Sequence, residues 1–306
     1  MADRRPPLPV RLFAAVVPRL PLGRYWAVSQ LRRLRAAPFM MPLPPRLGGF
    51  VYTCDPRDSV AREVCYTGGY EPQETALAGR ILGAGDVFVD VGANWGYFSL
   101  AAAHWVGPGG RVVAFEPEPR LYRLLTANLE ANRLVTVVAH QAAVAAGSGR
   151  LAFAAFSAED GNWGVSRAIA GGAAADFDCD AIALDAALDA DGVADVQLVK
   201  IDVEGGEAGV LAGMARGLAR GRYRHLLLEC HPLLLAARGE SARGCIEPLL
   251  AAGYRVWLID HSPAAHRRAA AGTVTPASLL RPYAAGAALE AWPHLLALAP
   301  GVPELA

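Results

Sequence analysis

The fold of this chain is decided by the stretch Val87-Phe88-Val89-Asp90-Val91-Gly92-Ala93-Asn94-Trp95-Gly96, at positions 87–96 of 306 residues. A short, mostly apolar run leads into a turn with two glycines, and residues 97–105 continue with a helical pattern. Glycines in such a turn let the backbone come close to a ligand, toward which the following helix presents free N–H groups. The stretch therefore predicts a strand, a ligand-binding turn and a helix.

The same alternation of strand and helix patterns continues on both sides of this unit. Helices are predicted at 71–82, 120–132, 207–218 and 243–252, and strands at 111–115, 135–139, 196–201, 226–230 and 254–259. Strands that alternate with helices predict an α/β fold, with a mostly parallel sheet covered on both faces.

The two ends of the chain have a different composition from the middle. Residues 1–50 carry nine prolines and many arginines, with one predicted helix at 25–36, and are interpreted as an arm or small cap. Short strands are expected within 50–64. Residues 261–306 are Ala-rich with scattered prolines, which predicts a helical C-terminal appendage. The domain proper is therefore expected at 51–260.

Composition limits the classes of function. The chain has 29 basic and 29 acidic residues and 53% hydrophobic residues, so it reads as a globular protein with no overall field toward nucleic acid or anionic membrane. A solvated N-terminal arm is favoured over a phosphate or membrane-surface contact. Five scattered cysteines without a Cys-x-x-Cys pair indicate neither disulfides nor a metal site, which fits the cytoplasm. No apolar run is long enough for a membrane span or a signal core. Nothing in the sequence specifies an oligomeric state.

Acidic residues stand where the predicted strands end. Asp90 ends the first strand of the core, Glu116 follows the second, Asp202 and Glu204 follow the strand at 196–201, and Glu229 lies in the next. In an open parallel sheet, ligands bind beyond the carboxyl ends of the strands, where the strand order reverses. These acids therefore mark the expected binding crevice.

The spacing of Gly96 and Glu116 indicates the kind of cofactor. Glu116 comes 20 residues after Gly96, the separation at which an acid at the end of the second strand meets a ribose diol. Asn94 replaces the second glycine of Gly-x-Gly-x-x-Gly, which leaves less room for a pyrophosphate and offers an amide for an amino-acid head group. An adenosine-containing cofactor is favoured over the alternative that Glu116 only starts a helix.

The densest cluster of charges is Lys200-Ile201-Asp202-Val203-Glu204-Gly205-Gly206-Glu207. Lys200, Asp202 and Glu204 share one face if the strand continues through them. Lys200 is the single lysine of the chain, and a lysine kept where arginine serves everywhere else indicates a site that needs a compact ammonium. A structural ion pair is the competing interpretation.

In their order along the chain, these motifs resemble the FkbM family of methyltransferases. The resemblance rests on residues 89–96, Phe115-Glu116-Pro117, Leu184-Asp185 and the run 200–207, with Gly69-Tyr70-Glu71 before them and Leu228-Glu229-Cys230-His231-Pro232 after them. It covers about residues 67–260 and leaves both ends of the chain outside.

The resemblance implies a Rossmann-like class I methyltransferase fold and S-adenosylmethionine as cofactor, with a methyl group transferred to a hydroxyl of a sugar, glycan or secondary metabolite. It also implies that Asp90, Gly92 and Asn94 sit around the methionine part of the cofactor and Glu116 on the ribose. Ala93, Gly96 and Asp202 are likewise expected to bind the cofactor. The chain departs from the family pattern at 141–146, Gln-Ala-Ala-Val-Ala-Ala, where no acid is available for adenine.

Methyl transfer from a sulfonium is an in-line displacement that needs alignment and, for a hydroxyl acceptor, a base. The candidate bases are Asp202, Glu204 and, ranked below them, His231, with Lys200 orienting the acceptor or tuning a carboxylate. The loop at 162–164, Asn-Trp-Gly, is a candidate wall of the acceptor pocket, and its tryptophan is equally compatible with the core.

Two alternatives from other classes remain open. A nicotinamide-dependent oxidoreductase is disfavoured by the missing glycine and by the absence of a Tyr-x-x-x-Lys pair, since Val196 stands four residues before Lys200. A non-catalytic cofactor-binding or carrier-docking module would use the Arg-rich arm as its contact surface.

Overall fold

The computed structural model describes residues 6–17, 20, 24–31, 37–155, 166–169 and 175–305. Its helices are, in chain order, α1 Leu8–Val16, α2 Arg24–Gln30, α3 Ser59–Thr67, α4 Pro72–Ile81, α5 Tyr97–Val106, α6 Pro119–Ala131, α7 Leu184–Ala190, α8 Glu207–Gly213, α9 Ala215–Ala219, α10 Pro232–Ala236, α11 Ala242–Ala251 and α12 Pro263–Ala270. The strands are β1 Phe39–Pro42, β2 Val51–Cys54, β3 Val87–Val91, β4 Arg111–Phe115, β5 Val137–His140, β6 Ala143–Val144, β7 Gly149–Ala154, β8 Arg167–Ala168, β9 Phe177–Ile182, β10 Val196–Ile201, β11 Tyr223–Glu229, β12 Arg255–Ile259, β13 Leu280–Pro282 and β14 His294–Leu298.

The centre of the described structure is an eight-stranded sheet in the order β13-β12-β14-β11-β10-β3-β4-β5. The five strands from β11 to β5 in this order are parallel, and their central members are buried on both faces because helices cover the sheet. This is the Rossmann-like α/β fold expected from the alternation of strand and helix.

The strand order reverses between β3 and β10. The chain runs outward from β3 through β4 to β5, and then returns to lay β10 on the other side of β3. The register pairs Lys200 with Asp90 and Ile201 with Val91, so the loops after β3 and β10 leave the sheet side by side. A crevice at such a reversal is where ligands bind in open α/β sheets.

The C-terminal tail begins with helix α12 but is not an appendage to the sheet. Strand β14 lies between β11 and β12 and pairs antiparallel with both, while β13 forms the edge beside β12. The strand at 254–259, which was expected to close the sheet, is therefore an interior strand. The domain boundary predicted at residue 260 falls within this sheet. Leu295 and Leu296 are fully buried there, because an inserted strand is covered on both faces.

Two other expectations need correction. Residues 50–64 form one strand, β2, and then helix α3, whose first turn is capped by the Asp58 side chain accepting the Ala61 N–H. The single helix expected at 207–218 is divided into α8 and α9 at Met214. Of the helix expected at 25–36, the structure describes Arg24–Gln30 as helical, and residues 32–36 lie outside the described part.

A second, smaller sheet follows β5 and has the order β6-β9-β7-β8 in the described residues. It has its own apolar cluster, in which Phe153 and Phe177 stack with ring centroids 5.2 Å apart. Near the N-terminus, β1 and β2 form a hairpin, and Val10 of α1 is buried in the main core. Among the described helices, none has the length and apolar character needed to cross a membrane.

Candidate active site

The loop after β3 adopts a conformation that most side chains would not allow. Gly92 and Gly96 have φ angles of 87° and 84°, and Asn94 between them has φ of 54°. A Cβ on Gly92 would lie 1.8 Å from the backbone oxygen of Asp202. Gly92 is therefore required for the loops after β3 and β10 to approach each other.

Glu116 is fixed by backbone donors from two segments. Its carboxylate accepts the Asn94 N–H at 2.8 Å and the Glu118 N–H at 2.9 Å, and its side chain is buried. Burial raises the pKa of Glu116 to about 8 despite these hydrogen bonds, which lower it. The carboxylate thus connects the loop after β3 (residues 92–96, called the cofactor loop below) to the end of β4. Its remaining lone pairs can accept hydrogen bonds from another donor.

Asp90 is buried at the switch point, beneath the loop. Its Oδ2 accepts the Ser99 hydroxyl at 2.6 Å, and burial raises its pKa to about 6 although nearby Lys200 lowers it. Asn94 uses its side-chain oxygen to accept the Trp95 N–H at 2.8 Å. The Asn94 amide expected to meet an amino-acid head group is therefore partly committed to its own loop.

A cavity of about 360 Å³ opens over this loop. One side of the cavity is formed by Gly92, Asn94 and Glu116. Asp202 and Glu204, in the loop after β10, line it next to them. The other side comes from the small sheet and its neighbours. Leu151, Phe153 and Ala168 contribute apolar surface there, and Arg238 and Glu240 contribute polar groups.

The run after β5 also lines this cavity. Residues 142–146 are alanines and one valine and contribute apolar surface, as the missing acid in the sequence predicts. An aromatic ring placed there would be held by apolar contacts and backbone groups instead of a side-chain carboxylate.

Lys200 is buried at 4% exposure among acids. Its Nζ lies 3.2 Å from Asp202 Oδ2 and 3.3 Å from Glu71 Oε2, and 4.7 Å from the centre of the Phe98 ring. Burial lowers the pKa of Lys200, but Asp202 and Glu71 outweigh this effect and raise it. The lysine is thus part of an ion-pair network, as the structural interpretation predicted, and it orients Asp202 at the cavity.

His231 stands at the centre of a second group of acids. Its Nδ1 lies 2.7 Å from Glu207 Oε1, while its Nε2 faces Glu204 Oε2 at 3.3 Å, Glu229 Oε1 at 3.5 Å and Asp202 Oδ1 at 3.8 Å. The side chain is 2% exposed. Carboxylates from the loop after β10, at 202 and 204, and from the end of β11 therefore surround one imidazole.

The cluster shifts the pKa of its members in opposite directions. Burial lowers the pKa of His231, but Glu207 and the other acids outweigh it and raise the pKa to about 9. Burial raises the pKa of Glu204 to about 7 against the effect of His231. Burial also raises the pKa of Asp202, but Lys200 and His231 outweigh it, and the pKa lies below its usual value. Such opposed shifts are typical of functional sites.

The sequence-predicted residues fall into two groups. Gly92, Asn94, Glu116, Asp202 and Glu204 line the cavity. The others lie behind that lining and contact it, namely Asp90, Ala93, Gly96, Lys200 and His231. The loop at 162–164 lies outside the described residues.

The sequence patterns assign no role to several residues that surround Lys200 and His231. Glu71, Glu207 and Glu229 stand in motifs or at strand ends that indicate no individual role for them, and no sequence pattern marks Trp292 or His294. Trp292 Nε1 donates to Glu229 Oε1 at 2.8 Å, and His294 Nε2 lies 3.6 Å from the same oxygen. The only available signal was the pairing of Glu229 with His231 two residues later.

Comparison with known proteins agrees with this architecture. Residues 90–256 match the family model described as the methyltransferase FkbM domain. Comparison with curated protein sequences finds no match. Similar solved structures include a methyltransferase FkbM from Methylobacillus flagellatus KT, with 15% identity and a TM-score of 0.41 over 90% of this chain and 59% of that chain.

Two further similar structures contain S-adenosylmethionine. They are the O-methyltransferase TomG from Streptomyces achromogenes, with 13% identity and a TM-score of 0.38 over 76% of this chain and 80% of that chain, and Aeropyrum pernix fibrillarin, with 16% identity and a TM-score of 0.39 over 74% and 73%. The family match spans more than half of the chain and includes the cofactor loop, Glu116 and the acidic cluster. The chain therefore belongs to the FkbM methyltransferase family and is an S-adenosylmethionine-dependent methyltransferase.

Proposed function

We propose that this methyltransferase transfers its methyl group to a hydroxyl of a small molecule or glycan. The observation that carries the proposal is that Asp202 and Glu204 line the same cavity as Gly92, Asn94 and Glu116. A cofactor held by the loop and by Glu116 would then have carboxylates beside it. A hydroxyl acceptor needs a proton acceptor in that position.

The reaction forms a bond between the acceptor oxygen and the methyl carbon and breaks the bond between that carbon and sulfur. The electron pair of the broken bond goes to sulfur, which becomes a neutral thioether, and the acceptor proton goes to a base. Alignment of oxygen, carbon and sulfur supplies on the order of 7 to 11 kcal/mol. The base adds roughly 10²- to 10⁴-fold.

Glu204 is our candidate for the base. Asp202 is held by Lys200 through Oδ2 and has a lowered pKa, and His231 is enclosed and held by Glu207. Glu204 lines the cavity, and its pKa is raised to about 7. In this proposal Lys200 and His231 are positioning residues. Lys200 fixes Asp202 through Oδ2, and His231, held by Glu207, lies beside the Glu204 carboxylate.

The test of the base is Glu204→Gln. We expect kcat to fall about 10²- to 10⁴-fold while the affinity for S-adenosylhomocysteine, measured by titration calorimetry, stays within about twofold. Glu130→Gln is the matched control, because Glu130 is exposed on α6 and does not line the cavity. Full activity in Glu204→Gln would assign the base to Asp202 or His231 instead.

The cofactor assignment has its own test in Glu116→Gln. At pH 9, where Glu116 with its pKa of about 8 is ionised, loss of charge-assisted hydrogen bonds to the ribose, about 1.5 to 3 kcal/mol each, predicts roughly 10- to 100-fold weaker binding of S-adenosylhomocysteine. Glu118→Gln is the control, because Glu118 caps α6 by accepting the Leu121 N–H and does not line the cavity. Equal affinity in wild type and Glu116→Gln would mean that the ribose is held elsewhere.

The acceptor is proposed to be a small molecule or glycan in the cytoplasm. The equal number of acidic and basic residues gives no electrostatic attraction for a nucleic acid acceptor. A screen for transfer of labelled methyl groups into extracted metabolites and glycans tests this, and labelling of nucleic acid alone would contradict it. Saturable NAD binding without S-adenosylhomocysteine binding would support the oxidoreductase alternative.

A further inference from the structure

Among the described residues, two clusters combine histidine with carboxylates closely enough to share a metal ion. One is Glu74, His261 and His294, and the other is Asp202, Glu229 and His231. We propose that Asp202, Glu229 and His231 bind a divalent metal ion, and that this ion holds the oxygen of the methyl acceptor. The first half of the proposal is independent of the acceptor chemistry, whereas the second half rests on the proposed function.

Within this trio, the distances from His231 Nε2 to the two carboxylates are longer than those of good hydrogen bonds. His231 Nε2 lies 3.5 Å from Glu229 Oε1 and 3.8 Å from Asp202 Oδ1, and the ligand atoms all lie within 4.8 Å of one another. Two ligands bound to one ion at about 2.1 Å are roughly 3 to 3.5 Å apart. A small inward movement of these side chains would therefore bring the three ligand atoms to metal-binding distance.

Each of the three side chains is oriented by a partner outside the trio. Lys200 donates to Asp202 Oδ2, which leaves Oδ1 toward His231, and Trp292 donates to Glu229 Oε1. His231 contacts Glu207 through Nδ1, which leaves Nε2 toward the carboxylates. Metal-binding histidines and carboxylates are typically held in this way by hydrogen bonds from a second layer of residues.

The ligand types indicate which metal to expect. One imidazole with two carboxylates suits Mn²⁺ or Zn²⁺ better than Mg²⁺ or Ca²⁺, which prefer oxygen ligands alone. Asp202 lines the cofactor cavity and its side chain is 22% exposed, so the site can open toward that cavity at Asp202. Three protein ligands with an open side leave coordination positions for a substrate oxygen.

The other cluster has the geometry of ordinary hydrogen bonds. Glu74 Oε1 accepts from His261 Nε2 at 2.7 Å and from His294 Nδ1 at 2.9 Å. A single carboxylate oxygen satisfies both imidazoles, so no metal ion is required there. This cluster provides an internal control, because it offers the same ligand types to an added metal.

The metal ion would select a class of acceptor. An ion with free positions favours an acceptor with two neighbouring oxygens, such as a vicinal diol or a hydroxyl beside a carbonyl, because both oxygens can bind. A bound hydroxyl also loses its proton more readily, since the ion stabilises the resulting anion. The carboxylate of Glu204 lies 3.3 Å from His231 Nε2 and is close enough to receive that proton.

The experiment measures binding of Mn²⁺ alone to the chelator-treated full chain by electron paramagnetic resonance. We expect one bound ion whose signal shows coupling to an imidazole nitrogen. Glu229→Gln should weaken binding more than tenfold, and His231→Gln should remove the nitrogen coupling. Trp292→Phe, at a side chain 47% exposed, should weaken binding about tenfold without affecting folding.

His261→Ala is the matched control and should leave the affinity for Mn²⁺ unchanged. Loss of the bound ion in His261→Ala, or a wild-type chain that binds no Mn²⁺ or Zn²⁺, would overturn the metal site. Calorimetry with S-adenosylhomocysteine on the same samples separates the two proposals, because cofactor binding without metal binding rejects only the metal site. Methyl transfer to monohydroxy acceptors unaffected by chelator would reject the metal's role in holding the acceptor.

Discussion

At the scale of single residues, Gly92 determines how closely the two ligand-binding loops approach. The position combines a positive φ with an approach to the Asp202 carbonyl that excludes any Cβ. Gly85 offers a comparison in the same chain, because its φ is 88° and a Cβ there would meet nothing within 4 Å. Comparing substitutions at Gly92 and Gly85 therefore separates the cost of backbone strain from the cost of steric exclusion.

We expect Gly85→Ala to reduce the free energy of unfolding by about 1 kcal/mol, the cost of a left-handed alanine. Gly92→Ala should reduce it by more than about 3 kcal/mol, because the β3 and β10 loops must also separate, and it should weaken cofactor binding. Urea unfolding and calorimetry measure both effects. Equal losses in the two variants would show that the approach to Asp202 is not a constraint.

At the scale of secondary structure elements, Glu74 connects helix α4 to strand β14. Burial raises the pKa of Glu74, but hydrogen bonds from His261 and His294 outweigh it and hold the pKa far below its usual range. Burial lowers the pKa of His294, but its hydrogen bond with Glu74 and the nearby charges of Glu229 and Glu71 outweigh it and raise the pKa to about 9. The contact therefore holds strand β14, near the C-terminus, against helix α4, which precedes the first strand of the large sheet.

The contact between Glu74 and His294 predicts that the stability of the protein depends on pH. Because the folded-state pKa of His294 is above its unfolded value of about 6.5, its contribution is complete below pH 6.5 and is lost as the pH rises through 9. Between pH 6 and pH 9.5, with chelator present, wild type should lose up to about 3 kcal/mol more unfolding free energy than His294→Gln. Parallel losses in the two proteins would contradict the assigned pKa.

Strand β14 makes a separate prediction, because it lies inside the sheet. Leu296 is fully buried between β11 and β12, whereas Leu233 in α10 is 81% exposed. We expect Leu296→Ala to lower the unfolding free energy by about 2 to 5 kcal/mol and Leu233→Ala by less than about 0.5 kcal/mol. A small effect at Leu296 would mean that the tail is the dispensable appendage its composition predicted.

At the scale of the whole molecule, the cofactor cavity joins the large sheet to the small one. Its lining includes the β3 and β10 loops on one side and β7 and β8 on the other. A ligand that fills the cavity therefore bridges segments from distant parts of the chain and stabilises the folded state by mass action.

S-adenosylhomocysteine at 100 times its Kd should stabilise the chain by about 2.7 kcal/mol. For a protein of 306 residues, that corresponds to a rise in Tm of roughly 4 °C. Differential scanning calorimetry measures the shift, with NAD at the same concentration as the control ligand. An equal shift with NAD would contradict the specificity assigned to the loop.

The sequence by itself determined the parallel half of the sheet, the cofactor loop and the family. These features depend on local patterns, because a buried strand, a glycine turn and an amphipathic helix each leave a periodic signal within about ten residues. The strand bounds Val196–Ile201 and Arg111–Phe115 agree with the sequence expectation for this reason. The positions of Asp202, Glu204 and Glu116 at the crevice followed from the rule that loops after parallel strands meet at one edge.

Only the tertiary structure decided what surrounds those residues. The tail from 261 onward reads as alanine and proline, yet β14 enters the sheet because a gap between β11 and β12 exposes backbone groups that a strand can pair with. The same insertion brings Trp292 and His294 to Glu229, and thus connects the acids beside the cofactor loop to the far end of the chain. Such contacts join residues far apart in sequence, so no local pattern encodes them.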